Sequence, residues 1–461
     1  MKIKNLENKK IAILGYWVEW KSTERFLKKL NIVSYEILDK SINKDYLKNL
    51  KDFDIIFKSP WISPYNNPEL LEVKDKLTSQ WEILADNFKW KIIWITGTKG
   101  KSTISSLLYE ILKDIWYKVK LVWNIWNPVL DEINIIPNVL NEKDQEEYDY
   151  IIYELSSYML EGLELNLFIG LLNNIYDCHL DWHNWRGNYE IAKINVLKNA
   201  KYKLVSSELK SNKKLNKFEN IDFFWLNWTY NYKKSSDEIL EIKNWKFYIW
   251  NNLILDNLNI SLKGEHNKKN IIWVFGVLDK IWIFKNDKNI DSIKKVLSEF
   301  TGLSHRQENI WKYNWITFIN DAISVTQEST IAAIETFWKD IWTLFLGWVS
   351  TWVNYDKIRN SLIKYNIKNI VLFPDSWEEI FWNFSKDIEF DKEYILEWFW
   401  NYKPIIYKTK SMKNAVSFWF KNTKKAEYCI LSSAAQSFSL WKWFIEKWDM
   451  FRKYVEEFEK N

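Results

Sequence analysis

The chain has 461 residues, too many for one hydrophobic core, which predicts two to four domains. Its 65 Lys and Arg against 60 Asp and Glu leave a net charge of +5, a balance that argues against a nucleic-acid-binding surface. Two cysteines, Cys178 and Cys429, exclude a disulfide framework, and no apolar run approaches the ~20 residues of a membrane span. We therefore expect a cytoplasmic protein with no nucleic-acid or membrane partner.

Glycine is scarce in this chain and tryptophan is abundant. Average usage of about 7% would give roughly 32 glycines, whereas the chain has 10 Gly and 31 Trp. Many tryptophans stand where a turn or a phosphate loop needs glycine, as at positions 94, 123, 126, 348 and 448. We hypothesise that most of them are glycine in the host, read from UGA codons. A genuinely tryptophan-rich protein is the alternative.

Short apolar runs alternate with longer helical patterns, which predicts an α/β fold with parallel sheets. The first strand, residues 11–14, leads into Gly15, and with glycine restored the turn has the form G-x-G-x-x-G. A second strand, residues 33–38, ends at Asp39, about 20 positions further on. This pattern predicts a Rossmann-like domain over residues 1–88.

The second predicted domain, residues 89–300, begins with a strand at residues 91–95 that leads into a phosphate loop. The loop consists of Thr96, Gly97, Thr98, Lys99, Gly100, Lys101, Ser102 and Thr103. Its backbone N–H groups and the helix that follows can bind phosphate. Lys101 supplies charge to the β- and γ-phosphates, and the Ser102 hydroxyl can bind Mg²⁺. A chance Gly-Lys turn is the alternative.

Polar side chains follow the next two predicted strands of this domain. The strand at residues 150–154 ends at Glu154, and the strand at residues 167–173 leads towards His179. Ligands bind at the carboxyl ends of parallel strands, so Glu154 and His179 can converge near Ser102. Oxygen ligands with one imidazole suit a hard cation. A lone histidine is more often structural, so only the neighbours favour the metal site.

The third predicted domain covers residues 301–461. Its strands are predicted at residues 316–320, 341–346, 370–373 and 428–431. The chain is thus expected to have a Rossmann-like N-terminal domain, a central P-loop mononucleotide-binding domain with a parallel sheet, and a Rossmann-like C-terminal domain.

In order and spacing, the motifs of this chain resemble those of the Mur ligase family. The matching stretches lie at residues 59–61, 95–103, 123–128, 154–157, 177–181, 189–193, 264–270, 305–308, 320–321 and 433–438. The resemblance implies a monomeric, ADP-forming amide ligase of cytoplasmic peptidoglycan synthesis. It would add D-glutamate to UDP-N-acetylmuramoyl-L-alanine through an acyl phosphate. Many of the tryptophan positions are glycine in that family, which supports the recoding hypothesis.

The resemblance also implies a magnesium centre with two ions. Ser102 and Glu154 would hold one ion, and His179 and Lys193 would hold the second. Because a cationic lysine cannot ligate a metal, the family carbamylates this lysine with CO₂. Lys101 and Arg306 would neutralise phosphate charge.

The remaining assignments implied by the resemblance concern the ligands. Asn267 and Asn270 would lie near the adenine of ATP, and Asp321 would close over the nucleotide together with Arg306. The residues expected to bind the UDP-muramoyl portion are Gly15, Tyr16, Asp39 and Asn124. The acceptor amino acid would bind at Ser437, Phe438 and Phe444.

The chain departs from the family pattern on the acceptor side. Residues 346–352 lack the usual acidic and basic groups, Ala322 and Val325 replace hydroxyl residues, and Ser433 and Ser439 replace a proline and an aspartate. A sister ligase that adds L-alanine or a diamino acid, or that polyglutamylates folate, is therefore an alternative, although an Asp-Asn-Pro-Arg motif is absent. A non-catalytic, aromatic-rich glycan-binding or scaffold protein is the alternative from a different class.

Overall fold

The computed structural model describes most of the chain, in sixteen stretches. These are residues 3–15, 18–87, 91–122, 128–132, 148–162, 167–224, 240–243, 246–249, 252–256, 258–313, 315–347, 355–374, 388–396, 402–424, 427–435 and 444–459. The chain divides into a first unit, Met1–Ile260 with Lys269–Glu299, and a second unit, Ser261–Lys268 with Phe300–Asn461. The three-domain boundaries at residues 88 and 300 stay a prediction.

The first unit begins with a four-stranded parallel sheet of order β2-β1-β3-β4. Its strands are β1 Ile11–Leu14, β2 Tyr35–Leu38, β3 Ile55–Lys58 and β4 Leu77–Thr78. Two helices accompany them, α1 Val18–Lys29 and α2 Gln80–Asn87. The central strands β1 and β3 are almost entirely buried because helices cover the sheet, which explains their continuous apolar runs.

A six-stranded parallel sheet of order β10-β9-β8-β5-β7-β6 follows in the same unit. Its strands are β5 Lys91–Thr96, β6 Val119–Val122, β7 Tyr150–Glu154, β8 Leu167–Leu172, β9 Ala200–Ser206 and β10 Ile221–Phe224. The helices are α3 Lys101–Asp114, α4 Val129–Glu132, α5 Ser157–Leu160, α6 Leu180–His183, α7 Arg186–Ile194, α8 Glu265–Lys280 and α9 Lys288–Glu299. A small antiparallel sheet contains β11 Leu240–Lys243, β12 Lys246–Ile249 and β13 Asn252–Leu255.

Register places the ends of the three central strands side by side. Ile95 of β5 pairs with Glu154 of β7, and Thr96 pairs with Leu172 of β8. The loops that leave β5, β7 and β8 therefore start at one edge of the sheet, where ligands of parallel sheets bind.

The second unit has a seven-stranded sheet of order β14-β15-β20-β16-β17-β19-β18. Its strands are β14 Glu308–Tyr313, β15 Ile316–Asn320, β16 Ile341–Gly347, β17 Asn369–Phe373, β18 Glu393–Ile395, β19 Ile405–Lys408 and β20 Tyr428–Leu431. Its helices are α10 Gln327–Phe337, α11 Asp356–Lys364, α12 Met412–Asn422 and α13 Phe444–Glu459. Among the strands that the structure describes in this sheet, only the two at its edges, β14 and β18, pair antiparallel.

The predicted α/β class with parallel sheets is confirmed. Within the described residues, no helix combines the length and apolar character needed to cross a bilayer.

Candidate active site

The phosphate loop joins β5 to α3, as the sequence predicts. Gly100 has φ +82° and caps α3, and a Cβ there would overlap Asn270 Oδ1 and lie 2.7 Å from Asn173 Nδ2. Glycine at this position therefore lets the loop pack closely against two asparagine side chains. Ser102 and Thr103, in the first turn of α3, are buried. The loop presents the start of a helix to the carboxyl edge of the sheet, the geometry that binds phosphate.

Two asparagines after β8 hold this loop in shape. Asn174 Oδ1 accepts hydrogen bonds from the backbone N–H groups of Thr98 and Lys99, each at 2.9 Å. Asn173 Nδ2 donates to the Lys99 carbonyl at 2.9 Å. The Thr98 hydroxyl lies 2.7 Å from the Tyr189 hydroxyl on α7. The loop conformation is thus fixed by side chains outside the loop itself.

Lys101, the first residue of α3, lies close to Glu154, the last residue of β7. Lys101 Nζ lies 3.8 Å from Glu154 Oε1 and donates to the Thr98 carbonyl at 3.4 Å. The second carboxylate oxygen, Glu154 Oε2, is buried and accepts no hydrogen bond from the residues described. A buried carboxylate oxygen left in this state is costly unless a cation or donor meets it. Glu154 therefore fits a cation bound beside the phosphate loop.

Lys193 reaches the same loop from α7 and is only 2% exposed. Its Nζ donates to the Gly97 carbonyl at 2.9 Å and to Thr96 Oγ1 at 3.4 Å. Burial, reinforced by the positive charge of Lys101, holds the pKa of Lys193 well below its usual value. The side chain therefore favours a neutral amine, the form that reacts with CO₂.

His179 begins α6 with φ +56°, and its ring centroid lies 4.8 Å from that of Tyr158. Burial, with the charges of Lys193 and Lys101, lowers the pKa of His179 to about 3. The imidazole is neutral at physiological pH and retains a ring-nitrogen lone pair for a metal ion.

The predicted metal site contains few carboxylates. In the described stretches no cluster of three or more His, Cys, Asp and Glu could hold a metal ion. The predicted set has one carboxylate and one imidazole, together with the Ser102 hydroxyl and Lys193. Such a set fits Mg²⁺ when phosphate oxygens and water complete the coordination, which is usual for this ion.

The second unit carries the other predicted nucleotide groups. Asp321, at the end of β15, is buried and accepts hydrogen bonds from Ser432 Oγ at 2.6 Å and from the Gln307 N–H at 3.2 Å. Burial raises the pKa of Asp321 to about 6, although Arg306 acts in the opposite direction. Asn267 Nδ2 donates to the Lys263 carbonyl at 2.7 Å.

Comparison with known proteins gives the family. The Mur ligase middle domain matches residues 95–278. A UDP-N-acetylmuramoylalanine--D-glutamate ligase of Francisella tularensis subsp. mediasiatica is 30% identical over 98% of this chain and 97% of its own length. The chain belongs to the Mur ligase family. The predicted family and the predicted ligase class are thereby confirmed.

Other Mur ligases resemble the chain over nearly its full length. A UDP-N-acetylmuramoylalanine--D-glutamate ligase of Clostridium tetani is 26% identical over 98% of this chain and 97% of its own length. The crystal structure of a MurF ligase from Thermotoga maritima in complex with ADP has a TM-score of 0.57 at 14% identity, covering 99% of this chain and 98% of that one. A pseudomurein peptide ligase type C from Methanothermus fervidus has a TM-score of 0.55 at 17% identity, covering 98% and 100%. At these identities the two structures support the fold.

Gly15 and Asp39, predicted for the nucleotide-sugar portion, follow β1 and β2 of this Mur ligase. Gly15 has φ +103°, donates to the Leu38 carbonyl at 2.9 Å, and a Cβ there would lie 2.8 Å from Ser59 Cβ. Asp39 Oδ1 accepts from Ser41 N and Oγ, at 2.8 and 2.6 Å. A small, partly open pocket is lined by Gly15, Glu19, Ser59 and Gln80.

Several predicted site residues lie outside the described residues: Tyr16, Asn124, Ser437 and Phe438. Phe444 starts α13, and its backbone alone is described.

Sequence reasoning gave no role to His183, which is fully buried. Its Nε2 lies 2.9 Å from Ser157 Oγ, so it joins the start of α5 to the end of α6. Sequence reasoning also missed the roles of Asn173 and Asn174. Their signal was a pair of amides at the end of a predicted apolar strand.

Proposed function

We propose that this Mur ligase joins the amino group of D-glutamate to the carboxyl group of UDP-N-acetylmuramoyl-L-alanine, at the expense of ATP. The reaction belongs to peptidoglycan precursor synthesis in the cytoplasm, with a monomer as the working form. The observation that carries the proposal is the near-full-length match to ligases of this printed name. The phosphate loop supports it, because Lys101, Glu154 and Lys193 converge there on one edge of the sheet.

The first chemical step is phosphoryl transfer. A carboxylate oxygen of the UDP-muramoyl substrate attacks the γ-phosphorus of ATP, the bond to the β-phosphate oxygen breaks, and ADP leaves. Such transfer depends on positioning and on neutralisation of charge. The backbone of residues 97–103 positions the phosphates, Lys101 neutralises the β- and γ-oxygens, and Asn174 keeps the loop in its binding shape.

The second step is aminolysis of the acyl phosphate. The neutral amine of D-glutamate attacks the carbonyl carbon, a tetrahedral intermediate forms, and phosphate leaves as the amide bond is made. The amine releases one proton in the process. We assign Arg306 and Asp321 to the closing of the nucleotide site, and Ser437, Phe438 and Phe444 to the acceptor. Asn267 and Asn270 are assigned to the adenine, and Gly15, Tyr16, Asp39 and Asn124 to the UDP-muramoyl portion.

Two Mg²⁺ ions fit the donor set. Ser102 and the Glu154 oxygen that accepts no hydrogen bond from the described residues would hold the first, and neutral His179 and carbamylated Lys193 would hold the second. When bound, such ions stabilise negative charge on the phosphate and carboxylate oxygens. Lys193 is suited to carbamylation because burial favours its neutral amine.

A different acceptor amino acid is the second candidate. Ser433, where the family has proline, packs at the end of β20 with its hydroxyl donating to the Ser324 carbonyl at 3.1 Å. This altered acceptor-side turn favours a sister specificity within the same ligase class.

Phosphate release tests the proposal. The protein is incubated with ATP, Mg²⁺, UDP-N-acetylmuramoyl-L-alanine and D-glutamate, and each component is omitted in turn. We expect release only with all four present, and loss of it in Lys101→Ala, with the surface variant Lys213→Ala as the matched control. If phosphate is released with L-alanine, with a diamino acid, or with folate and glutamate, the enzyme's substrate is reassigned accordingly. No release with any acceptor would contradict the ligase function.

A further inference from the structure

The second unit contains a buried lysine, Lys447, to which the proposed mechanism gives no role. It lies in the first turn of α13 with no exposed surface. Lysine is almost never fully buried without a specific partner. Its Nζ donates to Ser433 Oγ at 2.7 Å. The contact joins α13 to the turn that follows β20.

The Ser433 turn in turn holds the ends of two neighbouring strands. Ser433 Oγ donates to the Ser324 carbonyl, beyond β15, and the Ser433 carbonyl accepts from the Gly347 N–H at the end of β16 at 3.0 Å. The preceding residue, Ser432, donates to Asp321. Lys447 therefore lies behind three loops that leave one edge of the sheet, those after β15, β16 and β20.

We propose that Lys447 is a positioning residue: through Ser433, it holds in place the turn that leads into the acceptor-binding segment of this ligase. The inference rests on the proposed function, because the segment after β20 is where the acceptor residues Ser437 and Phe438 are assigned. Lys447 touches no reacting atom. It fixes the turn from which that segment departs.

The test is steady-state kinetics of Lys447→Met, which keeps the length of the side chain and removes its charge and donors. We expect the KM for the acceptor amino acid to rise about tenfold or more, with the KM for ATP changing by less than about threefold. Lys447→Arg keeps a cationic donor and should restore most of the affinity. Lys453→Met, on the exposed face of α13, is the matched control.

A double-mutant cycle separates positioning from general destabilisation. Ser433→Ala should raise the acceptor KM in the same way, and Lys447→Met with Ser433→Ala should be no worse than Lys447→Met alone. Additive effects of the two substitutions, or equal changes in the KM for ATP and for the acceptor, would overturn the inference. If Lys447→Met fails to fold, Lys447→Arg and Ser433→Ala carry the same comparison.

Failure of the proposed function can be distinguished from failure of the inference about Lys447. An enzyme that prefers another acceptor moves the assay to that amino acid, and the expectation for Lys447 is unchanged. For an enzyme with no turnover, amide hydrogen exchange decides: Lys447→Met should speed exchange at residues 321–326 and 432–435 relative to Lys453→Met. Equal exchange in the two variants would contradict the inference.

An independent observation concerns the ends of helices. Asn31 after α1 and Asn366 after α11 have φ +59° and +53°, and each starts the paired hydrogen bonds of a Schellman turn. Trp116 occupies the same position after α3, with φ +75°, its N–H donating to the Lys113 carbonyl and the Tyr117 N–H donating to the Leu112 carbonyl. Glycine is the usual residue at this position and asparagine the next.

Two further tryptophans have the same backbone conformation. Trp282 follows α8 with φ +66° and donates to the Asp279 carbonyl. Trp315 has φ +67° in the two-residue connection between β14 and β15, where Tyr313 pairs with Ile316. Its neighbour in sequence is Asn314, and Asn-Gly is the preferred pair for such a hairpin. All three indoles are exposed, so packing does not offset the strain of a bulky residue at positive φ.

The geometry assigns glycine to positions 116, 282 and 315 in the native protein, through UGA codons read as glycine. Trp116→Gly, Trp282→Gly and Trp315→Gly should each raise Tm by about 2–4 °C. Trp338→Gly is the matched control, because Trp338 is exposed but has φ −50°, where glycine gives no relief. Peptides of the protein from its own host should carry glycine at the three positions. UGG codons there, or three variants no more stable than Trp338→Gly, would overturn the assignment.

Discussion

Lys193 of the first unit and Lys447 of the second are buried near the carboxyl ends of parallel strands, and they differ in their charged neighbours. Lys193 of the first unit lies near Lys101, whose charge adds to burial in lowering the pKa of Lys193. Lys447 of the second unit lies near Asp321, whose charge opposes burial and leaves the pKa of Lys447 at about 7. Burial is the largest cause at both sites, so the neighbouring charge distinguishes them.

The difference in neighbouring charge explains how a buried lysine can have two different roles. A lysine beside another cation favours the neutral amine, which is nucleophilic towards CO₂. A lysine beside a carboxylate keeps part of its charge and can hold a hydroxyl such as that of Ser433 in a fixed place. The comparison therefore predicts chemical rescue at Lys193 and none at Lys447.

The largest effect should come from Lys193→Ala. Loss of the proposed carbamate would remove an anionic metal ligand, and we expect turnover to fall by about 10³-fold or more. Added acetate or another short carboxylate should restore part of the rate in this variant, because the anion can enter the space vacated by the side chain. Lys447→Ala serves as the comparison and should show no response to acetate. Rescue in both variants, or unchanged turnover of Lys193→Ala, would contradict the contrast.

Glu154→Gln should have the next largest effect. The substitution keeps the shape of the side chain and removes the charge of the buried oxygen that has no hydrogen-bond donor among the described residues. We expect kcat to fall by about 10²–10³-fold, the usual cost of losing one charge-stabilising group. Raising the Mg²⁺ concentration should recover part of this loss, whereas it should recover nothing in Lys447→Met. A Mg²⁺ response identical to that of the unsubstituted enzyme would exclude Glu154 as a ligand.

The pH dependence of stability sharpens the comparison for Lys447. Its folded pKa of about 7 lies below the usual 10.5, so between these values the unfolded chain binds a proton that the folded chain has lost. Stability therefore rises with pH across this window, by up to about 1.4 kcal/mol per pH unit. Lys447→Met removes this contribution. The unfolding free energy of the unsubstituted protein should therefore increase relative to that of the variant from pH 7 to pH 10. Urea unfolding at several pH values measures the difference, and a constant difference would refute it.

The framework of the two sites could be predicted from sequence, whereas the contacts that shape them could not. Strands at residues 11–14, 150–154, 316–320 and 428–431 were predicted with the bounds that the structure has. Strands buried on both faces are continuous apolar runs between turns, so their ends are clear in the sequence. The phosphate loop was equally clear, because few other loops combine these glycines with Lys101 and Ser102.

The supporting contacts depend on tertiary packing and leave little trace in sequence. Lys447 belongs to an amphipathic helix with a second lysine, Lys453, and only its position relative to Ser433 distinguishes the two. The antiparallel strand β14 was not predicted, because its run contains charged and amide residues. Asn174 was seen as part of a polar segment, but its hydrogen bonds to the phosphate loop bridge more than seventy residues of sequence.

The smallest expected effect concerns the hydroxyl pair that supports Lys193. The Tyr189 ring faces the amine of Lys193, with its centroid 5.0 Å from Nζ. The Tyr189 hydroxyl is 2.7 Å from that of Thr98. Tyr189→Phe keeps the ring and removes one hydrogen bond, a loss of about 1 kcal/mol. The KM for ATP should therefore rise by about fivefold at most. Thr98→Val should cost more, because the Thr98 hydroxyl also accepts from the Tyr176 N–H at 2.9 Å. The double variant should be no worse than Thr98→Val alone, since that substitution already removes the bond to Tyr189. A much larger loss in Tyr189→Phe would mean that the Tyr189 hydroxyl contributes more to this site than the single hydrogen bond to Thr98.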